Sequence, residues 1–404
     1  MQIQPILSAL RKHRVATLLI ALEIALACAV LSNVCFMIGN RLSAMHMDSG
    51  VDEAALATLQ LAGYDPAQAA DVDARALAVL RGIPGVQSVS LLNSIPFGMR
   101  RGTVGITSDP AGQHYAGTVD FYIGAPGAFQ ALGLRLVAGH APQSEDYQPV
   151  GDFAPAQASV LVTRDLAGHL WPGADPIGKQ FWMDKSPFRV IGVVDALVRP
   201  QPSGVRMDQR QCSVFVPGLP GPTFSGSYLL RANPEDLPRV LRDALAALDK
   251  ALPDVVVDRE DSHTLADLRS NVFRNDRAMA GLLVGVVVAL LLVTALGIVG
   301  LASFWVAQRH KQIGILRALG ATRGDILRYF QTENFLIVAF GILPGIVFAL
   351  AINLTLMKFY ELPRLPLLYL PIGAVVLWAL GQLAVLAPAM RAAAVPPVVA
   401  TRTV

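Results

Sequence analysis

Four long apolar runs, one near the start of the chain and three crowded into its last third, limit what this sequence can fold into more than any other feature. They are Val15 to Ile38, Met279 to Val306, Phe335 to Met357 and Leu367 to Ala387. Each exceeds the roughly 20 residues of helix that cross a bilayer's hydrocarbon core. Since every backbone polar group in that core must be satisfied within the protein, helices are the expected form. Composition agrees: 16% of the 404 residues are charged and 53% are hydrophobic, against about 25% charged in a soluble domain. The net charge of +3 is small and forms no basic face for nucleic acid. Ala25 and Ala27 make an A-x-A pattern before Cys28. The run nevertheless continues to Ile38, well past the roughly 7 to 15 apolar residues of a secretory leader, so a membrane helix is expected there. Glu23 is costly inside such a helix and is expected to face neighbouring helices or reach the interface, as a packing acid rather than a proton or substrate site.

The polar segments between the runs orient them. Ile3, Ile6, Leu7 and Leu10 followed by Arg11, Lys12, His13 and Arg14 predict an amphipathic helix over 1–14 on the cytoplasmic membrane surface. The segment Gln308 to Glu333 joins two runs and carries Arg309, Lys311, Arg317, Arg323 and Arg328 against only Asp325 and Glu333. The tail 389–404 carries Arg391 and Arg402 and no acid. Short loops rich in Lys and Arg mark the cytoplasmic side, which puts both termini inside and the large segment 40–276 outside. The expected layout is therefore spans at 15–39, 279–306, 335–357 and 367–388, an inserted domain over 40–276, and a cytoplasmic loop over 307–331. Pro344 and Gly345 are expected to kink the third span.

The inserted domain reads as α+β. Gln87 to Leu92, Ser159 to Val162, Phe188 to Val194 and Ser213 to Val216 read as strands. Helical spacing appears over Val51 to Leu61, Val72 to Arg81 and Pro238 to Ala251, the last with Val240, Leu241, Ala244, Leu245 and Leu248 on one face. At this size, two subdomains are expected. Its end, Ser262 to Arg277, places Leu265, Leu268 and Val272 at helical spacing and runs into the second span with no turn signal, which predicts a helical stalk that lifts the domain off the membrane.

Motifs for chemistry are scarce. Gly173 to Gln180 matches the P-loop pattern except at the position of the magnesium-binding hydroxyl, and it precedes a strand rather than a helix, so a turn is expected. The seven histidines show no HExxH or HxxxH spacing. Met45-His46-Met47 offers soft donors, yet such a run at a helix end reads as packing. Cys28 and Cys35 lie inside a span and Cys212 stands alone, which gives no disulfide framework or CxxC pair. No metal site, cofactor or catalytic constellation is expected in this chain, and it does not read as an enzyme.

The loop joining the second and third spans is different because its parts agree. The helix of the second span is expected to continue through Ile313, Leu316 and Leu319 until Gly320 and Ala321 break it. Thr322 and Asp325 then form a capping box that starts the helix of the third span. Such a turn presents Ile313, Leu316, Arg317 and Arg323 to a docking partner, or else is a solvated connector. On residue chemistry alone both readings stand.

QIGILRALGATRGDILRYFQTENFL, residues 312–336, resembles the signature loop of MacB/FtsX-type ABC transporter permeases. Ile313, Gly314, Arg317, Ala318, Gly320, Ala321 and Glu333 match it, while Gln312 stands where Glu is typical. Pro388, Ala389, Arg391, Ala392, Pro397, Ala400 and Arg402 are similar to the family's ending. Residues 124–140 and 170–194 are similar to its periplasmic core domain. The resemblance implies an inner-membrane permease with four transmembrane helices and an α+β periplasmic domain between helices 1 and 2. It implies a partner ABC ATPase, expected as a separate subunit holding ATP and magnesium, and a second permease subunit in a homo- or heterodimer. A periplasmic membrane-fusion adaptor is a further expected partner, besides the lipid bilayer. The implied ATPase contact is Ile313, Gly314, Leu316, Arg317, Ala318, Gly320, Ala321 and Arg323, and the implied transmission path is the stalk with Leu265, Leu268 and Val272. The function implied is efflux or mechanotransmission, with export of a small molecule, peptide or lipophilic substrate. The alternative is a regulatory permease that exports nothing and controls an envelope enzyme such as a cell-wall hydrolase. A sensor receptor fits less well, because it leaves the third and fourth spans without a role.

Overall fold

A computed structural model describes residues 14–99, 102–151, 153–155, 157–183, 186–202, 205, 209–360 and 364–394. The amphipathic helix expected over 1–14 lies outside these residues apart from Arg14, as do Pro397, Ala400 and Arg402 of the tail. The chain forms two compact units, one of residues 1–43 with 277–404 and the other of residues 44–276.

The second unit opens on the last turn of helix α1 (Arg14–Met45) and a 3-10 turn at Glu53–Ala55. There follow β1 (Leu56–Ala62), α2 (Ala69–Arg81), β2 (Val86–Leu91), β3 (Thr103–Thr107), β4 (Tyr115–Gly124), α3 (Ala128–Leu132), β5 (Leu136–Gly139), β6 (Gln148–Pro149) and β7 (Ala158–Thr163). Then come α4 (Arg164–Leu170), β8 (Gln180–Met183), β9 (Ser186–Val194), β10 (Ser213–Leu219), β11 (Ser227–Ala232), α5 (Leu237–Ala251), β12 (Val256–Asp258) and α6 (Leu265–Val272). Two sheets result. One is antiparallel in the order β12-β1-β11-β2, and the other runs β4-β3-β8-β9-β7-β10 before β10 returns to pair with β4, closing a ring. Ring closure removes open edges from those strands.

The helix expected over Val51 to Leu61 is not formed. Residues 56–62 are instead the inner strand β1, paired with β11 and β12 and buried along nearly its whole length. Apolar residues on both faces erase the period that separates strand from helix, and tertiary pairing overrides the helix propensity of its alanines. Helix α5 buries Val240, Leu241, Ala244, Leu245 and Leu248 along one face. The turn at 173–179 spends its own amides internally: Gly178 N donates to Val190 O (2.8 Å) and Lys179 N to Pro176 O (3.1 Å). The Lys179 ammonium lies 5.7 Å from the Trp171 ring centre.

The first unit holds most of α1, and with it α7 (Arg274–Gln308), α8 (His310–Ala318), α9 (Arg323–Tyr360) and α10 (Tyr369–Ala393). Of these, α1, α7, α9 and α10 are long and apolar enough to cross a membrane. Helix α9 is unbroken through Pro344. Its Gly341 and Gly345 bring its backbone against α1: a Cβ at Gly341 would lie 2.8 Å from Ala21 O, and one at Gly345 would lie 2.7 Å from Cys28 Cβ. Small residues four apart are how helices approach closely in lipid, where no hydrophobic force drives them together. The Glu23 carboxylate faces α7 beside Gly297, so this acid is turned toward the bundle.

Candidate functional site

The turn between α7 and α9 is built by local rules. Helix α7 does not run on to Leu319 as its periodicity suggested. It stops at Gln308, and after Arg309 the chain resumes as α8, although Arg309 N still reaches Trp305 O (3.0 Å). Helix α8 ends in a reciprocal C-cap in which Ala321 N donates to Leu316 O (3.1 Å) and Gly320 N to Arg317 O (3.2 Å). Gly320 supplies the positive φ of 99° that this cap requires. The next helix starts on the expected capping box, with Asp325 N donating to Thr322 Oγ1 (3.2 Å) and Thr322 N to Asp325 Oδ2 (3.0 Å).

Packing divides the expected contact residues into two groups. Ile313, 4% exposed, is packed with Ile326, Phe330, Ala389, Ala392 and Ala393. Gly314 is buried beside it, and Arg317 donates from Nη1 to Ala393 O (2.7 Å). These three residues hold α8 to α9 and α10, so Ile313 and Gly314 are not on the outward surface where the sequence placed them. Leu316 (53% exposed), Ala318, Gly320 and Arg323 face outward, while Ala321 is half-buried. The structure adds two outward residues that the sequence reading passed over, Ile315 (53% exposed) and Leu319 (80% exposed). A groove of about 390 Å³ opens beside Leu316, lined also by Gln312, Ile313, Ile326, Tyr329 and Phe330 among others. Below the turn, Arg309 Nη1 contacts both Glu333 oxygens at 3.0 Å, and its guanidinium lies 5.7 Å from the Trp305 ring centre. Glu333 is 1% exposed, so this pair ties the junction of α7 and α8 to α9.

The expected stalk takes a different form. Helix α6 is N-capped by Thr264, whose side chain accepts from Asp267 N (3.2 Å), and it ends at Phe273 before α7 begins. Leu265 (0% exposed), Leu268 and Phe273 belong to the core of the inserted domain together with Ala44, Leu56 and Phe97. Val272 packs on the edge of that core. The segment is therefore not a free helix lifting the domain, because its apolar face is part of the domain's core. At the start of α7, Asp276 is buried near Arg210, which is also buried. Burial pushes the Arg210 guanidinium below its ordinary range, and the Asp276 carboxylate opposes that shift. A cleft of about 520 Å³ opens beside α6, lined by Phe97, Leu268 and Val272 on one side and by Gln201, Glu260 and Arg274 among others. Among the described residues no group of three or more His, Cys, Asp or Glu could hold a metal ion, and Cys28, Cys35 and Cys212 form no disulfide with one another.

Four apolar helices with a large α+β domain between the first and second, and a capped helical turn between the second and third, define a polytopic membrane protein of the permease class. Residues 17–248 match the family model of the MacB-like periplasmic core domain, and residues 284–397 match that of the FtsX-like permease C-terminal. The chain belongs to this MacB/FtsX-type family of ABC transporter permeases, proteins of the inner membrane. It is 30% identical over 237 residues to "Macrolide export ATP-binding/permease protein MacB" of Bradyrhizobium diazoefficiens, a match that covers 55% of this chain and 34% of that relative. It is 28% identical over 253 residues to the protein of the same description in Marinobacter nauticus, covering 61% and 38%. The chain thus spans little more than a third of the length of these relatives. Among solved structures it is similar to the periplasmic region of MacB from Actinobacillus actinomycetemcomitans, at 14% identity and a TM-score of 0.35 over 55% of this chain and 94% of that one. The family assignment rests on the family models and not on that likeness.

Proposed function

We propose that this chain is the membrane subunit of an ABC-type efflux or mechanotransmission complex. In this reading a cytoplasmic ABC ATPase docks on the turn at α8, and ATP-driven closure is passed along α7 to the periplasmic domain. The observation that carries the reading is the outward cluster of Ile315 and Leu316 on a nine-residue helix between two spans, with Leu319 at its C-cap. Single exposed apolar residues are ordinary, whereas a contiguous cluster with a groove beside it marks a surface for another protein. Arg317 is tied to Ala393, whereas Arg323 and Arg328 are exposed and supply positive charge along the turn. The basic loop supports an orientation with both termini in the cytoplasm.

Helix α7 leaves Leu282, Leu292, Val293 and Leu296 uncovered within the chain, apolar surface suited to lipid and to a second permease subunit. Export of a small molecule, peptide or lipophilic substrate is the favoured output, because the relatives are described as macrolide exporters. The test is reconstitution of the permease with its ATPase in liposomes, comparing ATP hydrolysis with and without the permease. Stimulation that Leu316→Glu with Leu319→Glu abolishes supports the docking surface, and stimulation unchanged by that pair removes it.

A further inference from the structure

The chain enters the periplasmic domain at the end of α1 and leaves it just after α6, and one side chain touches both crossings. Arg269 of α6 donates from Nη2 to Met45 O (2.8 Å) and Met47 O (2.6 Å), and from Nη1 to the Glu53 carboxylate. Met45 is the last residue of α1, so its carbonyl is one of those a helix end leaves unsatisfied. A guanidinium there satisfies it and complements the negative end of the helix dipole. Its planar fork reaches several acceptors at once, which a lysine ammonium on a flexible stem does not reproduce.

The same guanidinium has its carbon 5.1 Å from the ring centre of Phe97. Phe97 is the one described non-glycine residue with a positive φ, 64°, in a turn that Gly98 N closes onto Ile95 O (2.9 Å). With Pro96 before it, this turn places a large aromatic where Gly or Asn is normal. Such a conformation persists only where its surroundings over-determine it. Here those surroundings include Arg269 and Phe273, whose ring is 6.0 Å away and edge-on. Phe97 is 1% exposed. Phe273 is in turn the residue immediately before α7 begins.

We infer that Arg269 is a clamp that makes the end of α1, the Phe97 turn and α6 a single body, so that the two crossings into the membrane helices move together rather than as independent hinges. The inference rests on the mechanotransmission reading, and it adds the residue through which that transmission is made rigid. Without the clamp, displacement of α7 would be absorbed between α6 and α1 before it reached the sheets.

The experiment uses the full permease in nanodiscs with its ATPase, with the three cysteines replaced and spin labels on Ser43→Cys and Ala266→Cys. The expected wild-type result is one narrow distance, the same without nucleotide and with a trapped ATP analogue. Arg269→Ala is expected to broaden that distance already without nucleotide. It should also lower export per ATP hydrolysed roughly tenfold, within the usual range of coupling energies, while Arg269→Lys recovers only part of the loss. If Arg269→Ala fails to fold, Glu53→Gln removes one arm of the clamp and should broaden the distance to a smaller degree. A wild-type distance that shifts with nucleotide overturns the clamp, and so does an unbroadened distance in a folded Arg269→Ala or Glu53→Gln protein. Failure of the transmission reading looks different: labels on the two subunits' periplasmic domains would not respond to nucleotide, yet the nucleotide-free width would still decide the clamp.

Discussion

Two short helices flank the α7 span, α6 before it and α8 after it, and they are built in opposite ways. Helix α6 turns its apolar residues inward, with Leu265 and Leu268 in the domain core and its arginine spent on carbonyls, a carboxylate and a ring. Helix α8 splits its apolar residues, with Ile313 inward and Ile315, Leu316 and Leu319 outward. The difference teaches that similar spacing of aliphatic residues at the two ends of one span can turn them into a core at one end and leave them exposed at the other, where we propose that a partner docks. What distinguishes them is what packs against each helix.

Substitutions can break or sharpen this contrast, beginning with the largest expected effect. Arg309→Ala removes the guanidinium that contacts both oxygens of the buried Glu333 carboxylate, which should destabilise the helical unit by about 3 to 5 kcal/mol. Thermal unfolding in nanodiscs measures this, and a small effect would mean that the base of the turn is as open as its tip. Leu265→Ala should cost the periplasmic domain about 2 to 5 kcal/mol, since the side chain is wholly buried. Denaturant unfolding that shows less than 1 kcal/mol would return α6 to a free stalk. Gly320→Ala forces a positive φ on a residue with a Cβ and should cost about 1 kcal/mol, read as a lower melting temperature together with weaker ATPase stimulation. Leu316→Ala with Leu319→Ala should change stability by no more than about 0.5 kcal/mol, yet should reduce ATPase stimulation. A marked loss of stability there would move these side chains from the docking surface into the packing.

Legibility in the sequence follows the same contrast. The spans, the capping box at Thr322 and Asp325, and the apolar face of α5 were readable because each depends on neighbours within a turn or two. The sides of α8 were not readable. Which residues face inward is decided by Ala389, Ala392 and Ala393 at the far end of α10, and no local period encodes that. The helix expected over Val51 to Leu61 failed for a related reason, since β1 takes its form from pairing with β11 and β12. Arg269 went unnoticed because its partner Glu53 is 216 residues away. The one local hint was a long basic side chain adjoining the apolar stripe of α6.

The central claim is that the tip of α8, and not its packed side, receives the ATPase. The most direct measurement is ATP hydrolysis by the ATPase in liposomes containing either the wild-type permease or the Leu316→Glu, Leu319→Glu permease, with equal melting temperatures verified first. The account predicts that stimulation falls roughly tenfold, the equivalent of about 1.4 kcal/mol of lost contact. Full stimulation by the doubly substituted permease would contradict it.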